Sequence, residues 1–378
     1  MRTLLWISLS LASVAVLAAA GGVMSLPGAR PRGLAAPAIS AEERAAVLAQ
    51  LRPPKRARPV VAVLASNLGT ETTDFLVPFG VLAESGAVDV FAVAPRADTV
   101  ELMPALRVRP QLDFAAFDAR FPDGADYVIV PALHRADDPA VLAWLQQQAR
   151  GGALAIGICE GARVLAHAGL LDGRSATTHW FSLDKLQHEA KGMTWQRDRR
   201  YVVDRGVVTT TGISASIPLS LTLVEAVAGR ERAEALARAF GVTGFAASHA
   251  SAEYALDRSA AGVAIGNTLA FWSHETVDVP LDDGVDEVAL ALTADAWKRT
   301  YRASVRAVSP AAEVRSRHGL ILLADGPGAP SVAQPPAGTP AIDAVLAAID
   351  RRYGPATADF VALQLEYDTG PAALAAGP

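Results

Sequence analysis

From Pro59 onward, unbroken apolar runs alternate with stretches of helical periodicity, separated by polar or glycine-bearing turns. Pro59 to Ala65 carries no polar residue, the pattern of a strand buried on both faces. Polar Ser66 to Thr73 follow, and the spacing then predicts a helix from Asp74 to Ser85, stopped by Gly86. Val88 to Ala94 reads as a second buried strand, Leu106 to Arg109 as a short extra one, and Tyr127 to Pro131 as the next. A helix is predicted over Asp138 to Arg150, with Leu142, Leu145 and Ala149 on one face. Ala153 to Ile158 completes the series. Strand, helix, strand at this spacing predicts an α/β fold with a parallel sheet and right-handed crossovers. Ligands of such open sheets bind beyond the carboxyl ends of the strands. The loops Ser66 to Asp74, Pro131 to Asp137 and the turn after Ile158 should therefore meet at one site.

That turn is Gly157-Ile158-Cys159-Glu160-Gly161, with a helix predicted from Ala162 to Ala168. A strand, a sharp turn bearing one reactive side chain, then a helix is a nucleophile elbow, here with cysteine. Gly157 and Gly161 leave room for the backbone to pass close to its neighbours. Cys159 is the only cysteine of the chain. At a helix N-terminus its thiolate is expected to be favoured. The competing reading is a small buried core residue.

The two ends of the chain differ from this middle. Thr3 to Gly28 carries no charge, and Leu4 to Ala20 is almost wholly apolar, with Arg2 before it and Ala18-Ala19-Ala20-Gly21 at its end. Residues 1–28 therefore read as a signal peptide or a single membrane anchor. The body is expected at the membrane or, after cleavage, in the periplasm. Arg30 and Arg32 after the run leave a cytoplasm-facing body as the alternative. Residues 29–58, rich in Pro, Ala and Arg, read as a linker holding one short helix from Ala41 to Leu51. Ser40 would cap it, with Glu43 closing a capping box.

Composition narrows the class. Of 378 residues 51% are hydrophobic and 19% charged, enough to bury a sizeable core, and the net charge is −5. No Lys/Arg stripe suggests nucleic acid. One cysteine precludes an intramolecular disulfide. The 7 histidines show no metal-site spacing, so neither metal nor cofactor is expected.

The ordered motifs Gly157-Ile-Cys-Glu-Gly-Ala162, Leu165-Ala-His-Ala-Gly-Leu-Leu-Asp-Gly-Arg-Ser-Ala-Thr-Thr-His-Trp180 and Tyr201-Val-Val-Asp-Arg-Gly-Val-Val-Thr-Thr-Thr-Gly-Ile-Ser-Ala-Ser216 resemble the ThiJ/PfpI family. Within it the likeness is to the sensor half of GlxA-like, AraC-type regulators and to isonitrile hydratases. The resemblance covers residues 59–242. It implies the class I glutamine amidotransferase-like, flavodoxin-like sandwich. It also implies that Cys159 is the reactive cysteine, with Asp74 as the carboxyl that touches its sulfur and Glu71 as the fallback. His179 falls on a histidine near the cysteine of many relatives, as a base, a polariser or a structural neighbour of Trp180. Two positions depart from the family. Glu160 stands where protease-like members carry His and hydratases carry Thr. Ala132 stands where many relatives have a glycine whose N–H lines an oxyanion hole.

Residues 243–378 hold 9 Lys/Arg against 16 Asp/Glu, which argues against a DNA-reading head. Val285 to Leu292 reads as a strand, Ala294 to Ala303 as a helix and Ser304 to Val308 as a strand. With Val314 to Asp325 this order resembles the opening half of the first domain. It predicts a smaller α/β extension, either a truncated second lobe or a loose set of added elements. After the Pro/Gly-rich stretch Gly326 to Pro340, Ala341 to Tyr353 reads as helical, and residues after Gly370 as a frayed tail.

Two functions fit these features. One is a small-molecule enzyme using Cys159 in hydratase, hydrolase or glyoxalase-like chemistry, with Asp74 setting protonation and His179 or Glu160 assisting. The other is a non-catalytic ligand-sensing or redox-sensing domain. Expected partners are a small molecule, the membrane through the N-terminal segment, and either a second copy or an intrachain pseudo-dimer.

Overall fold

The computed structural model describes residues 21–53 and 55–368. The apolar run Leu4 to Ala20 and the tail after Gly370 lie outside them. Among the described residues no helix is long and apolar enough to cross a membrane.

The apolar runs form one seven-stranded sheet. Its strands are β1 (Val60–Leu64), β2 (Asp89–Ala94), β3 (Leu112–Asp113), β4 (Tyr127–Val130), β5 (Leu154–Gly157), β6 (Tyr201–Asp204) and β7 (Val207–Thr210). Their order is β6-β7-β5-β4-β1-β2-β3, parallel except for the β6–β7 hairpin. Every residue of β1, β4 and β5 is buried, as runs without polar alternation require. Helix α1 (Thr72–Ser85) begins two residues before the expected Asp74. The Glu71 carboxylate caps it by accepting from the Asp74 N–H at 2.6 Å, and Gly86 ends it in the left-handed conformation. Helix α2 (Gly161–His167) follows the elbow, and α3 (Ser216–Ala228) packs on α1.

Residues 29–58, expected as a linker, lie against the body. Buried Arg30 pairs with Asp257 and Asp359, and the Tyr127 hydroxyl donates to Leu51 O at 2.7 Å. Helix Ala41–Gln50 is capped by Ser40, but Glu43 pairs with Arg199 instead of closing a capping box.

Past residue 242 two expectations are corrected. The helix expected over Ala294 to Ala303 ends at Lys298, with Ala303 already in a strand. Val285 to Leu292 is not a strand; it lies mostly within helix α4 (Glu287–Lys298). Asp286 caps this helix by accepting from the Val288 and Ala289 N–H groups, and its apolar residues are buried because it sits between layers. The alternating stretch β8 (Glu275–Pro280) pairs in parallel with β9 (Ala303–Val308). Strand β8, helix α4, strand β9 and the hairpin 313–323 thus repeat the order of β1, α1, β2 and the hairpin 100–109. The hairpin registers coincide: Val100 faces Val108 and Glu101 faces Arg107, as Val314 faces Leu322 and Arg315 faces Ile321.

The two copies meet face to face. Helix α1 packs on α4, close enough that a Cβ on Gly80 would lie 2.7 Å from Val288 Cγ2. Val108 pairs antiparallel with its own equivalent, Leu322. A two-fold axis through this residue pair would generate such an arrangement. Helices Ala341–Tyr353 and α5 (Pro355–Leu365) close the second lobe.

Candidate functional site

The elbow places Cys159 where β5 turns into α2, with φ of 54°. A non-glycine residue held in this region stores strain, so its surroundings must fix it. They do: the Cys159 N–H donates to Thr210 Oγ1 at 3.0 Å, and the Thr178 hydroxyl donates to Cys159 O at 2.9 Å. The flanking glycines are required by close approach. A Cβ on Gly161 would lie 1.9 Å from Val130 O, and one on Gly157 would lie 2.8 Å from Ala162 N.

Four carboxyl groups bear on the thiol electrostatically: Asp74, Glu160, Glu71 and Glu366. Burial and then these charges push the Cys159 thiol well above its ordinary range. This reverses the expected thiolate. The start of a seven-residue helix is outweighed by a desolvated, acidic setting.

Asp74 is buried at the start of α1. Its Oδ2 accepts from the Ala132 N–H at 3.1 Å, and its buried Oδ1 has no hydrogen-bond partner, the cysteine sulfur included. Burial and then the Glu71 charge raise its carboxyl well above the usual range. No hydrogen bond joins Asp74 to the sulfur, and Asp74 is the foremost charged influence on the thiol. The Ala132 N–H, expected to line an oxyanion hole, is taken by that carboxyl group.

The other expected residues are held by different partners. The Phe181 N–H donates to His179 Nδ1 at 3.3 Å, so Nε2 bears the proton and donates to Gln364 O at 3.0 Å. Burial lowers its basicity. Neither nitrogen is left to deprotonate Cys159. Glu160 accepts from the Ser182 hydroxyl and pairs with Arg163 at 3.4 Å, which places it on the rim.

Three charged groups of the site come from the second lobe and were not anticipated. Arg299, one residue past α4, donates through Nη2 to Glu71 Oε1 at 2.9 Å and through Nε to Asp295 Oδ2 at 2.6 Å. Burial opposes its charge, but the Asp295 and Glu71 carboxylates hold the guanidinium protonated beyond its ordinary range. Glu71 is pushed up to about 7 by burial and then by Asp295, with Arg299 pulling the other way. Glu366, just beyond α5, accepts from the N–H groups of Trp180 at 2.6 Å and Gly212 at 2.8 Å and pairs with His249 at 3.4 Å. Burial opposes its ionisation, yet these partners draw its carboxyl down to about 2. A cleft of about 640 Å³, bounded by Glu71, Met103, Arg299 and Gln364, reaches this cluster from the second lobe.

Comparison with known proteins agrees with the geometry. The DJ-1/PfpI family matches residues 60–226. Isonitrile hydratase of Pseudomonas putida is 31% identical over 165 residues, covering 43% of this chain and 69% of that protein. The HTH-type transcriptional regulator CdhR of Pseudomonas aeruginosa is 37% identical over 106 residues, covering 28% of this chain and 31% of the regulator. The chain thus spans under a third of that regulator's length. A ThiJ/PfpI family protein from Pseudomonas syringae, of known structure, is 23% identical with a TM-score of 0.43, over 54% of this chain and 81% of that one. The elbow, the sheet around it and the identity to the hydratase make this chain a member of the DJ-1/PfpI family.

Proposed function

We propose that the protein binds a small molecule at the Cys159 site without covalent turnover, as a sensing or scaffold member of its family. The protonation state of the cysteine carries this reading: a buried thiol in the field of four carboxyl groups is a poor nucleophile. The closed Ala132 donor supports it, because a tetrahedral oxyanion would have to displace Asp74. The 16 acidic against 9 basic residues after Val242 speak against a DNA-binding role. The second lobe takes the place of a partner copy, for which the Val108–Leu322 pairing is the support. The uncharged stretch Thr3 to Gly28 supports a body exported or anchored at a membrane; carbonate extraction and protease accessibility of the full chain in cells test that placement.

A second reading has its own observation. Glu71, at about 7, lies beside Asp74, whose carboxyl burial also raises, and such a pair can exchange a proton with water near neutral pH. Hydration of an isonitrile adds one water and yields an N-substituted formamide, and it needs no thiolate on the enzyme. The test is to incubate the full chain with small isonitriles, nitriles and aldehydes, following binding by thermal shift and products by NMR. Binding without product supports the sensor. Formamide that disappears in Glu71→Gln supports the hydratase. Product lost only in Cys159→Ala contradicts both.

A further inference from the structure

The internal repeat makes positions of the second lobe equivalent to those of the Cys159 site. The two helix caps correspond, Glu71 in the first copy and Asp286 in the second. Counted from these caps, Asp74 corresponds to Ala289 and Arg299 to Glu84 in the opposite copy, while the hairpin registers, one residue shorter, match Met103 to Arg317. Glu71, Met103 and Arg299 border the cleft at the first site. Their equivalents Asp286, Arg317 and Glu84 border a different cavity of about 500 Å³ on the far side of the α1–α4 contact. The repeat ends at its hairpin, so this copy has no elbow, and the chain's one cysteine is in the other. The space is closed instead by residues 239–244 and 335–343.

We propose that this cavity is a second ligand site, for a small organic cation with an apolar body. Its volume falls within the range of about 300–1,000 Å³ usual for small-molecule sites. Its inner wall is apolar, formed by Ile217, Val288, Leu292 and Ile342. Its charged lining is lopsided: Glu84, Asp286, Asp343, Glu366 and Asp368 against Arg200 and Arg317. Asp286 pairs with Arg317, Glu84 is engaged by His318 at 3.0 Å and by Arg317 at 3.9 Å, and Glu366 is committed to the first site. Among the described residues Asp343 accepts from the Tyr367 hydroxyl alone, at 2.7 Å, and retains acceptor capacity for a cation. At the first site the position equivalent to Glu84 holds the cation Arg299. An ammonium group would stand against Asp343, with its hydrocarbon part on Leu292 and Ile342. The site does not depend on the chemistry of Cys159.

The test is calorimetric titration of the full chain with three probes of one skeleton: hexylammonium, hexanol and hexanoate. Saturable hexylammonium binding is expected, at least about tenfold tighter than either other probe. Leu292→Trp, which fills the cavity, should abolish it, and Asp343→Asn should weaken it by about tenfold. Cys159→Ala should leave it unchanged, which separates this result from the fate of the first site. Equal affinity for hexanoate, no saturable binding, or full binding by Asp343→Asn would overturn the proposal. If Leu292→Trp does not fold, the charge variant and the probe series decide.

Discussion

Arg299 of the second lobe and Glu71 of the first meet at 2.9 Å across the lobe junction, in the electrostatic setting of Cys159. The ion pair belongs at once to the site and to the interface. Its side chains are 21% and 12% exposed, and Asp295 behind them is fully buried. Removing the cation strands two carboxyl groups in a desolvated setting. Arg299→Met is therefore expected to lower unfolding free energy by about 3 kcal/mol or more. Urea denaturation of the two proteins at one pH measures it, and a loss within the range of ordinary surface substitutions would contradict the buried pairing.

Two carboxyl groups bend the stability profile in opposite directions. Glu366 ionises in the folded protein at about 2, below its usual 4.5, so it contributes stability that is present above pH 4.5 and lost as pH falls through 2. Glu71 ionises at about 7, above its usual 4.5, so its contribution is present below pH 4.5 and lost as pH rises through 7. Glu71→Gln should flatten the neutral arm and leave the acid arm in place. Chemical denaturation from pH 3 to pH 8 checks both, and an unchanged neutral arm would show that Glu71 is not the group responsible.

Gly161 has no tolerance for a side chain, because the nearest atom to an added Cβ is the rigid Val130 carbonyl at 1.9 Å. Gly161→Ala should cost about 3 kcal/mol or more, or prevent folding outright. An unchanged melting temperature would mean that α2 can move away from β4.

Helix α1 is buried along nearly its whole length, in part beneath α4. A chain ending at Val242 would uncover that face and the edge strand at Val108. It should self-associate or precipitate, whereas the full chain should sediment as a monomer. A stable monomer from the shortened chain would contradict the role given to the second lobe.

How much of this could be read in the sequence differs between the lobes. In β1, β4 and β5 burial on both faces leaves apolar runs that read as central strands, and the elbow's glycines mark the turn. The same clue misleads in Val285 to Leu292, where a helix buried on all sides also lacks alternation; only the Asp286 cap distinguishes it. Asp295 and Arg299 fall as an i, i+4 pair inside the helix expected over Ala294 to Ala303, but no local pattern shows that Arg299 reaches Glu71 of the first lobe, so the Arg299 side of the site stays hidden. Glu366 has no local signal, since its partners at Trp180, Gly212 and His249 are brought to it by tertiary packing. The thiolate expected of Cys159 failed for a related reason: the helix start is local, whereas most of the carboxyl groups that outweigh it are distant in sequence, Glu71 and Asp74 on one segment and Glu366 on another, with only Glu160 adjacent.

The most direct test uses the fact that Cys159 is the chain's only cysteine. The rate of iodoacetamide labelling is followed by intact mass from pH 5 to pH 10 on the folded full chain. Slow labelling that rises only above about 8.5, and becomes fast on unfolding, is the expected result. A midpoint near or below 7 would mean an activated thiolate and would contradict the non-nucleophilic site.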